Sequence, residues 1–572
     1  MKYTWKIGGE AGFGIMTTGL VFSKIITRFG YHIHDFIEYP SLIRGGHNAY
    51  EVTISDELVG APKEKINLLI CLNKETYDLH KKRLVDNALI VFDESEFQIE
   101  EKNYQPINIP FQKILDGFKG EQIMKNTIAL GASLALIGLD LTELTKIIES
   151  QFIRKGQEVV DFNKKFAEAG FNAVKEKYPG SIKTILPKKN VEPALVITGN
   201  DAFSLGSVIA DCRFYCAYPM TPSSGVLTNL AAWQNKVGMV VRHAEDEISV
   251  INTAIGSSFT GVRSAVGTSG GGFALMTEAV SLAGMTEVPL VIFIAQRPGP
   301  ATGMPTWTQQ ADLLFSVFSG HGEFPKIVLA PGDVEEMLVL SAEAYNLADL
   351  YQTPVIVLSD MFLSESHQSM LKSSFDNFAK NYQVKRGKLI NQPAVTPYLR
   401  YQVTVDGISD RLLPGTKDNF YQSNSYEHLE DGHTTEAAAE VKKQVEKRLQ
   451  KENTYLKNDF QLPKIYGDLE TAETVFVSWG GVKNILLAAQ KVAEEKGKKI
   501  AIIHFSYVYP LDKEKVKALF AKDKRYVLVE NNATGQFGKL LQMETGIEIK
   551  EKLLKYDGRS FSLEEIVDQL KG

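Results

Sequence analysis

Cysteine is scarce: Cys71, Cys212 and Cys216 are the only three in 572 residues. An odd set of thiols builds no disulfide framework, and three fall short of the four that a cubane iron–sulfur cluster usually takes. If the protein handles electrons, the metal lies in another chain. Cys212 and Cys216 form a CxxxC pair, yet the segment around them reads as the end of a helix running into a strand, where small buried thiols are common. Excess positive charge is absent too. Lys plus Arg number 63 against 69 Asp plus Glu, a net charge of −6, so nothing is available to neutralise a nucleic-acid backbone. Apolar runs such as Pro289-Leu-Val-Ile-Phe-Ile-Ala295 stop well before the roughly 20 residues that cross a bilayer. The opening residues, Met1-Lys-Tyr-Thr-Trp-Lys-Ile-Gly-Gly, contain no signal-type apolar core. The expectation is a soluble, cytoplasmic protein with neither nucleic acid nor membrane as partner. No internal period of 20 to 50 residues recurs, which excludes a solenoid.

What is present is an ordinary globular composition, 44% apolar and 23% charged, in a chain long enough for three or four domains. Short apolar runs at Tyr3–Ile7, Leu68–Cys71 and Ala88–Phe92 alternate with helical spacing, an α/β pattern. Periodicity fails around Tyr178 to Pro193, where proline, glycine and lysine dominate, so a first domain is expected over 1–185. Further strand-like runs at Ala194–Gly199, Val237–Arg242, Ser264–Gly267, Leu290–Ala295 and Pro354–Leu358 predict a second α/β domain over 195–363 with a mostly parallel sheet. Residues 364–467 turn polar and read as an extended connector, whose charged helix from Thr435 to Lys451 is expected to present a solvated face. Runs at Thr474–Ser478, Ile500–His504 and Tyr526–Glu530 predict a third α/β domain over 468–572.

Glycine clusters mark the candidate sites. Gly8-Gly-Glu-Ala-Gly-Phe-Gly14 lies between a strand and a helix, where backbone N–H groups approach a phosphate. Its spacing departs from the dinucleotide fingerprint and no acidic residue follows at the expected distance, so a plain tight turn fits equally. Arg44, ahead of Gly45 and Gly46, is a candidate clamp for a phosphate or carboxylate, or part of a surface hairpin. In the second domain Tyr218-Pro-Met-Thr-Pro-Ser-Ser-Gly225 follows a strand; its prolines stiffen a turn that presents Thr221, Ser223 and Ser224. Arg242-His-Ala-Glu-Asp-Glu247 places acids at the head of an apolar helix, and Gly267-Thr-Ser-Gly-Gly-Gly272 follows twenty residues later. One carboxylate there serves either as a helix cap or as a proton partner for a ring nitrogen.

Taken together these segments resemble a known family. A glutamate at a helix head followed by a Thr-Ser-Gly-rich turn is similar to the pyrimidine-binding domain of thiamine-diphosphate enzymes. Adding Tyr218 to Ser224, Gln296-Arg-Pro-Gly-Pro-Ala-Thr-Gly-Met-Pro-Thr306, Glu427-His428 with Gly432, and Glu530-Asn-Asn-Ala-Thr-Gly-Gln536, the chain resembles the α subunit of 2-oxoacid:ferredoxin oxidoreductases. Residues Gly8 to Gly14 and Arg44-Gly-Gly46 resemble the γ subunit, fused ahead of α. Met220 stands where the family usually has isoleucine, and Gly271 where proline is more frequent; neither change removes a functional group. The fold implied is a γ-type α/β domain, a pyrimidine-binding domain and a transketolase C-terminal-like domain.

The resemblance implies that Glu247 faces the aminopyrimidine, since counting from it to Gly256 and Gly261 reproduces the family's helix spacing. It implies a 2-oxoacid held at its carboxylate by Arg297 and Thr221 with Tyr218 alongside. Gly270 and Gly271 are expected at the cofactor, Asn532 and Gln536 along a coenzyme A channel, and Arg44 in coenzyme A or subunit contacts. The Gly-Asp-Gly segment that holds Mg²⁺ in thiamine enzymes occurs nowhere in this chain. A β subunit carrying the diphosphate site, Mg²⁺ and a [4Fe-4S] cluster is therefore implied, in an αβ heterodimer or (αβ)₂, and this chain is expected to hold no metal and to be inactive alone. The reaction implied is decarboxylation of a 2-oxoacid with coenzyme A to an acyl-CoA, reducing ferredoxin or flavodoxin. The fused layout resembles members acting on 2-oxoglutarate, giving succinyl-CoA, with pyruvate left open. The rival readings are a non-redox thiamine-diphosphate lyase or ligase subunit and a nucleotide-binding scaffold subunit.

Overall fold

The computed structural model describes residues 2–41, 46–62, 65–101, 103–182, 186–192, 194–393, 397–520 and 524–570. The chain condenses into two compact units, residues 1–197 with 366–376, and residues 198–365 with 377–572.

The first unit is built on an eight-stranded sheet. Its strands are β1 (Lys2–Glu10), β2 (His32–Glu38), β3 (His47–Ser55), β4 (Ile66–Cys71), β5 (Leu84–Phe92), β6 (Gln105–Asn108) and β7 (Ala194–Ile197), together with Gln368–Leu371. The order is β6-β5-β4-β1-β3-β2, then Gln368–Leu371, then β7. The half from β1 to β6 is parallel and the half beyond β1 antiparallel. Trp5 of β1 stacks on Phe22 of the Ile15–Arg28 helix with centroids 4.1 Å apart. Between them Gly12 and Gly14 take φ of 99° and 72°, the left-handed region where glycine escapes the Cβ penalty, so the first glycine cluster makes a tight βα turn. The expected connector begins instead as a strand of this sheet. Buried Asp35 accepts from the Tyr50 hydroxyl and, at 2.6 Å, from the backbone N–H of His367, while Ile33 N–H donates to Ser369 Oγ at 2.9 Å.

In the second unit the strands are β8 (Phe214–Ala217), β9 (Val240–His243), β10 (Ser264–Thr268), β11 (Leu290–Gln296), β12 (Ile327–Leu329) and β13 (Pro354–Asp360). Their order is β12-β13-β11-β10-β8-β9, all parallel, with Tyr507–Tyr509 added antiparallel beside β12. β10, β11 and β13 are buried along their whole length, which explains their unbroken apolar runs: a parallel sheet is covered on both faces. Helix α1 (Glu247–Phe259) follows β9, and α2 (Gly270–Met285) follows β10. A five-stranded sheet in the C-terminal region orders Lys464–Tyr466, Ile500–Phe505, Thr474–Trp479, Arg525–Glu530 and Glu551–Leu554.

Helix α3 (Ala438–Asn458) departs from expectation. Its charge run is a solvated face only in part: Lys442, Lys443 and Glu446 are exposed, while Lys447, Arg448 and Lys451 are buried. The i, i+4 spacing puts Lys447 and Lys451 on one side of the helix, and each ammonium lies 2.6 Å from an oxygen of Glu287, itself fully buried. Arg448 donates to both carboxylate oxygens of Glu427, at 2.8 and 2.5 Å. A charge pattern alone does not distinguish a partnered face from a wet one. The three cysteines are free and buried, and burial pushes the thiols of Cys212 and Cys216 up to about 11. No described helix is long and apolar enough to cross a membrane.

Candidate active site

The site lies at the carboxyl ends of β8, β9, β10 and β11, where a parallel sheet releases its loops. Asp246 caps α1 by accepting from Ser249 N–H at 2.8 Å, which fixes Glu247 in the first turn, 4% exposed. Oε1 of Glu247 is buried and has no hydrogen-bond partner among the described residues. An unsatisfied buried carboxylate oxygen is costly, so an orphan of this kind calls for a ligand.

Next to it begins α2, with Ser269 at the cap giving no side-chain bond to the helix and its Oγ likewise buried without a partner. The three glycines that open α2 serve three purposes. A Cβ on Gly272 would lie 2.1 Å from Thr268 Oγ1 and 2.6 Å from Glu247 Oε1. On Gly270 it would lie 2.4 and 2.7 Å from the carboxylate oxygens of Asp312. On Gly271 it would meet nothing nearer than the Ala301 carbonyl at 3.9 Å. Two carboxylates are thus seated against the amino end of one helix, and the glycine between them faces open space.

Asp312 is the residue that sequence reasoning missed. It follows the Gln296–Thr306 segment as one more acid in a loop, and only the fold brings it to Gly270. Its backbone N–H donates to Gln296 Oε1 at 2.9 Å, and Gln296 donates in turn to the Ser359 carbonyl at 3.0 Å. Burial pushes the Asp312 carboxyl up to about 6, with the Arg297 charge pulling the other way. Arg297 donates through Nη1 to the backbone carbonyl of Thr221 at 2.7 Å; its other N–H donors have no partner among the described residues. Arg297 and Thr221 are therefore brought together, joined through the Thr221 backbone rather than its hydroxyl. Met220 Sδ lies 3.8 Å from Thr268 Oγ1, so the Tyr218–Gly225 turn borders the start of α2. Tyr218, 39% exposed, sits edge-on to His243 with ring centroids 6.0 Å apart.

The second candidate motif takes a different part. Buried Glu530 accepts from the N–H groups of Phe537 and Gly538, both at 3.0 Å, from Asn532 Nδ2 at 2.6 Å and from Trp479 Nε1 at 3.1 Å. Asn532 also donates to the Gln310 carbonyl at 3.1 Å and accepts from Gly535 N–H at 2.8 Å. Gln536 accepts from Leu314 N–H at 3.0 Å and donates to the Ala311 carbonyl at 2.7 Å. Both amides are spent within the chain, on the loop that carries Asp312. Arg44 lies outside the described residues.

Three family descriptions match successive stretches of the chain. Residues 4–173 match pyruvate ferredoxin/flavodoxin oxidoreductase, residues 206–447 the thiamine-diphosphate-binding region of pyruvate flavodoxin/ferredoxin oxidoreductase, and residues 466–543 the transketolase C-terminal domain. The 2-oxoacid:ferredoxin oxidoreductase subunit alpha of Sulfolobus sp is 32% identical, over 100% of this chain and 96% of that one. The 2-oxoglutarate synthase subunit KorA of Archaeoglobus fulgidus is 31% identical over 66% of this chain and 98% of its own length. Among solved structures, the 2-oxoglutarate:ferredoxin oxidoreductase of Magnetococcus marinus, with 2-oxoglutarate, coenzyme A and succinyl-CoA bound, superposes with a TM-score of 0.92 at 28% identity, covering 100% of this chain and 99% of that one. A match of this extent, through both compact units, places the chain in the 2-oxoacid:ferredoxin oxidoreductase α-subunit family, with a γ-type domain at its amino end.

Proposed function

We propose that this chain is the α subunit of an enzyme that converts 2-oxoglutarate and coenzyme A to succinyl-CoA and CO₂ and delivers two electrons to ferredoxin or flavodoxin. The observation that carries the reading is the whole-length likeness to the Magnetococcus enzyme, whose structure holds 2-oxoglutarate, coenzyme A and succinyl-CoA. Kinship with the 2-oxoglutarate synthase subunit points to the same substrate.

The residues at the heads of α1 and α2 fit the pyrimidine end of thiamine diphosphate: a buried Glu247 oxygen without a partner among the described residues, and the open Gly271. When bound, thiamine diphosphate supplies the electron sink into which a 2-oxoacid loses CO₂. This chain's own residues hold a proton and orient the substrate. Glu247 holds the proton exchanged with a ring nitrogen; the open face at Gly271 leaves room for the ring, and Gly270, seated on Asp312, brings the helix head to it. Arg297 turns its unpaired N–H donors to the substrate carboxylate, a bidentate match for a guanidinium. The Thr221 hydroxyl adds a hydrogen bond, with Tyr218 at the mouth of the site.

The diphosphate, Mg²⁺ and a [4Fe-4S] cluster are assigned to a β subunit, because the chain has no Gly-Asp-Gly segment and too few cysteines for a cluster. The assembly proposed is an αβ heterodimer or (αβ)₂ in the cytoplasm. Arg44 and the Gly8–Gly14 turn are assigned to coenzyme A or subunit contacts.

The test is to produce the chain with its partner subunit and follow coenzyme-A-dependent reduction of a viologen dye with 2-oxoglutarate, pyruvate and other 2-oxoacids. A brown complex absorbing near 400 nm and most active with 2-oxoglutarate is expected. Glu247→Gln should lower turnover by about 10² to 10⁴ with assembly intact. A colourless complex, or near-normal turnover of Glu247→Gln, overturns the reading.

A further inference from the structure

Asp312 has no place in the chemistry just described, yet the fold holds it more firmly than most loop residues. Gln310 is gripped at four points by the Glu530–Gln536 turn and by the end of the neighbouring strand Thr474–Trp479: its backbone N–H donates to the Asn531 carbonyl at 2.8 Å, its carbonyl accepts from Asn532, its Oε1 accepts from Asn531 N–H at 3.1 Å, and its Nε2 donates to the Trp479 carbonyl at 3.1 Å. Gln536 then ties the residues on either side of Asp312, one step before at Ala311 and two after at Leu314. From the other side Gln296 holds the Asp312 backbone N–H. So many bonds to one short loop define where its central side chain goes, and that place is the Cα of Gly270.

The carboxyl group there gains from the positive end of α2, whose cap residue Ser269 provides no side-chain bond. It is not ion-paired: among the described residues no cation lies within ion-pair distance of it, although Arg297 and Asp312 act on each other's charge. What α2 brings against it is Gly270, which does not titrate; Gln536 bonds the neighbouring Ala311 and Leu314 backbone and is not titratable either. Arg297 is the charged group it faces, and it is the same guanidinium that is left with free donors.

We propose that Asp312 is a positioning residue for the 2-oxoacid: clamped at the head of α2 by the Glu530–Gln536 turn, it sets the charge against which Arg297 receives the substrate carboxylate. The proposal rests on the assignment of Arg297 to that carboxylate. While Asp312 is ionised it offsets part of the guanidinium's field and repels the incoming anion. Protonated, it does neither. The transketolase-like C-terminal region acquires a task by this account, since its turn residues reach the substrate through the loop they hold.

The experiment uses the αβ complex, with initial rates of viologen reduction at varied 2-oxoglutarate and saturating coenzyme A between pH 5.5 and 8. In the parent, KM should rise as pH climbs through about 6, the value to which burial moves this carboxyl. Asp312→Asn keeps the shape seated on Gly270 and removes the charge. Its KM at pH 7.5 should be about fivefold lower than the parent's, with the gap narrowing toward pH 5.5. A KM equal to the parent's at every pH, a gap that does not change with pH, or a higher KM overturns the proposal. Gln536→Ala cuts the two bonds beside Asp312 and should flatten the pH dependence of KM; an unaltered dependence overturns the clamp. If the parent complex turns over no 2-oxoacid, it is the proposed function that fails. If it turns over normally and only the KM pattern is missing, this inference alone fails.

Discussion

Replacing Glu287 by glutamine tests the most unusual packing in the molecule. Glu287, Lys447 and Lys451 are all essentially fully buried, with two ammonium groups 2.6 Å from one carboxylate. Lys451 also donates to the Gln352 carbonyl at 3.0 Å, and Arg400 donates to the Glu287 backbone carbonyl at 2.9 Å. Glutamine matches glutamate in shape but leaves two ammonium ions in a dry site with no counter-ion. Removing one partner of a buried ion pair costs about 3–5 kcal/mol, because the charge left behind keeps its desolvation penalty. Lys451→Met should cost less, about 1–2 kcal/mol, since Glu287 keeps Lys447. The combined Glu287→Gln, Lys447→Met, Lys451→Met variant should recover part of the loss, since neither ammonium is then left in the dry site without its counter-ion. The assay is urea unfolding at pH 6, below the value of about 7 at which Lys447 gives up its proton, followed by tryptophan fluorescence. At about 3 kcal/mol per molar urea, Glu287→Gln should lower the midpoint by about 1–1.7 M. A shift below about 0.3 M, or a larger one for Lys451→Met than for Glu287→Gln, refutes the reasoning.

Further outcomes follow from the same structure. Burial pushes Lys447 down to about 7 from its ordinary 10.5, with Glu287 opposing; between those values the unfolded chain binds a proton that the folded chain lacks, so this group makes stability rise with pH, by at most about 1.4 kcal/mol per unit. Lys447→Met should flatten that rise in urea midpoints taken from pH 7 to 10. Gly272→Ala forces a Cβ within 2.6 Å of Glu247 Oε1 and should lower turnover at least tenfold, whereas Gly271→Ala meets open space and should leave both the unfolding midpoint and, by cofactor titration of the complex, thiamine diphosphate binding nearly unchanged. Arg297→Lys exchanges a fork for a point charge and should raise KM for the 2-oxoacid about tenfold or more with a smaller effect on turnover; an unchanged KM would take the substrate carboxylate away from this residue.

Much of the architecture was legible because its cause is local. An unbroken apolar run such as Leu290–Ala295 is what a strand covered on both faces requires, and β11 is buried at every position. That Glu247 stands at a helix head near the glycine turn was legible because the two belong to consecutive βα units, so their spacing along the chain mirrors their spacing in the fold; its role toward a cofactor came from the family resemblance. The Gly8–Gly14 turn could be read as glycine serving backbone geometry, and its positive φ values bear that out at Gly12 and Gly14.

The rest was decided by partners far away along the chain. Whether a lysine on an amphipathic helix meets water or a carboxylate depends on what packs over it, and for Lys447 that is Glu287, 160 positions distant. Asn532 and Gln536 were placed along a coenzyme A channel by the family resemblance alone; that Gln536 bonds Ala311, 225 positions away, is a contact only the fold supplies. Asp312 carries no pattern at all in a loop of mixed residues. Periodicity records which face of an element is dry, since each residue contributes its own burial. It does not record which element supplies the other half of a hydrogen bond, because that follows only when the two sheets of the second unit have packed and closed their loops together.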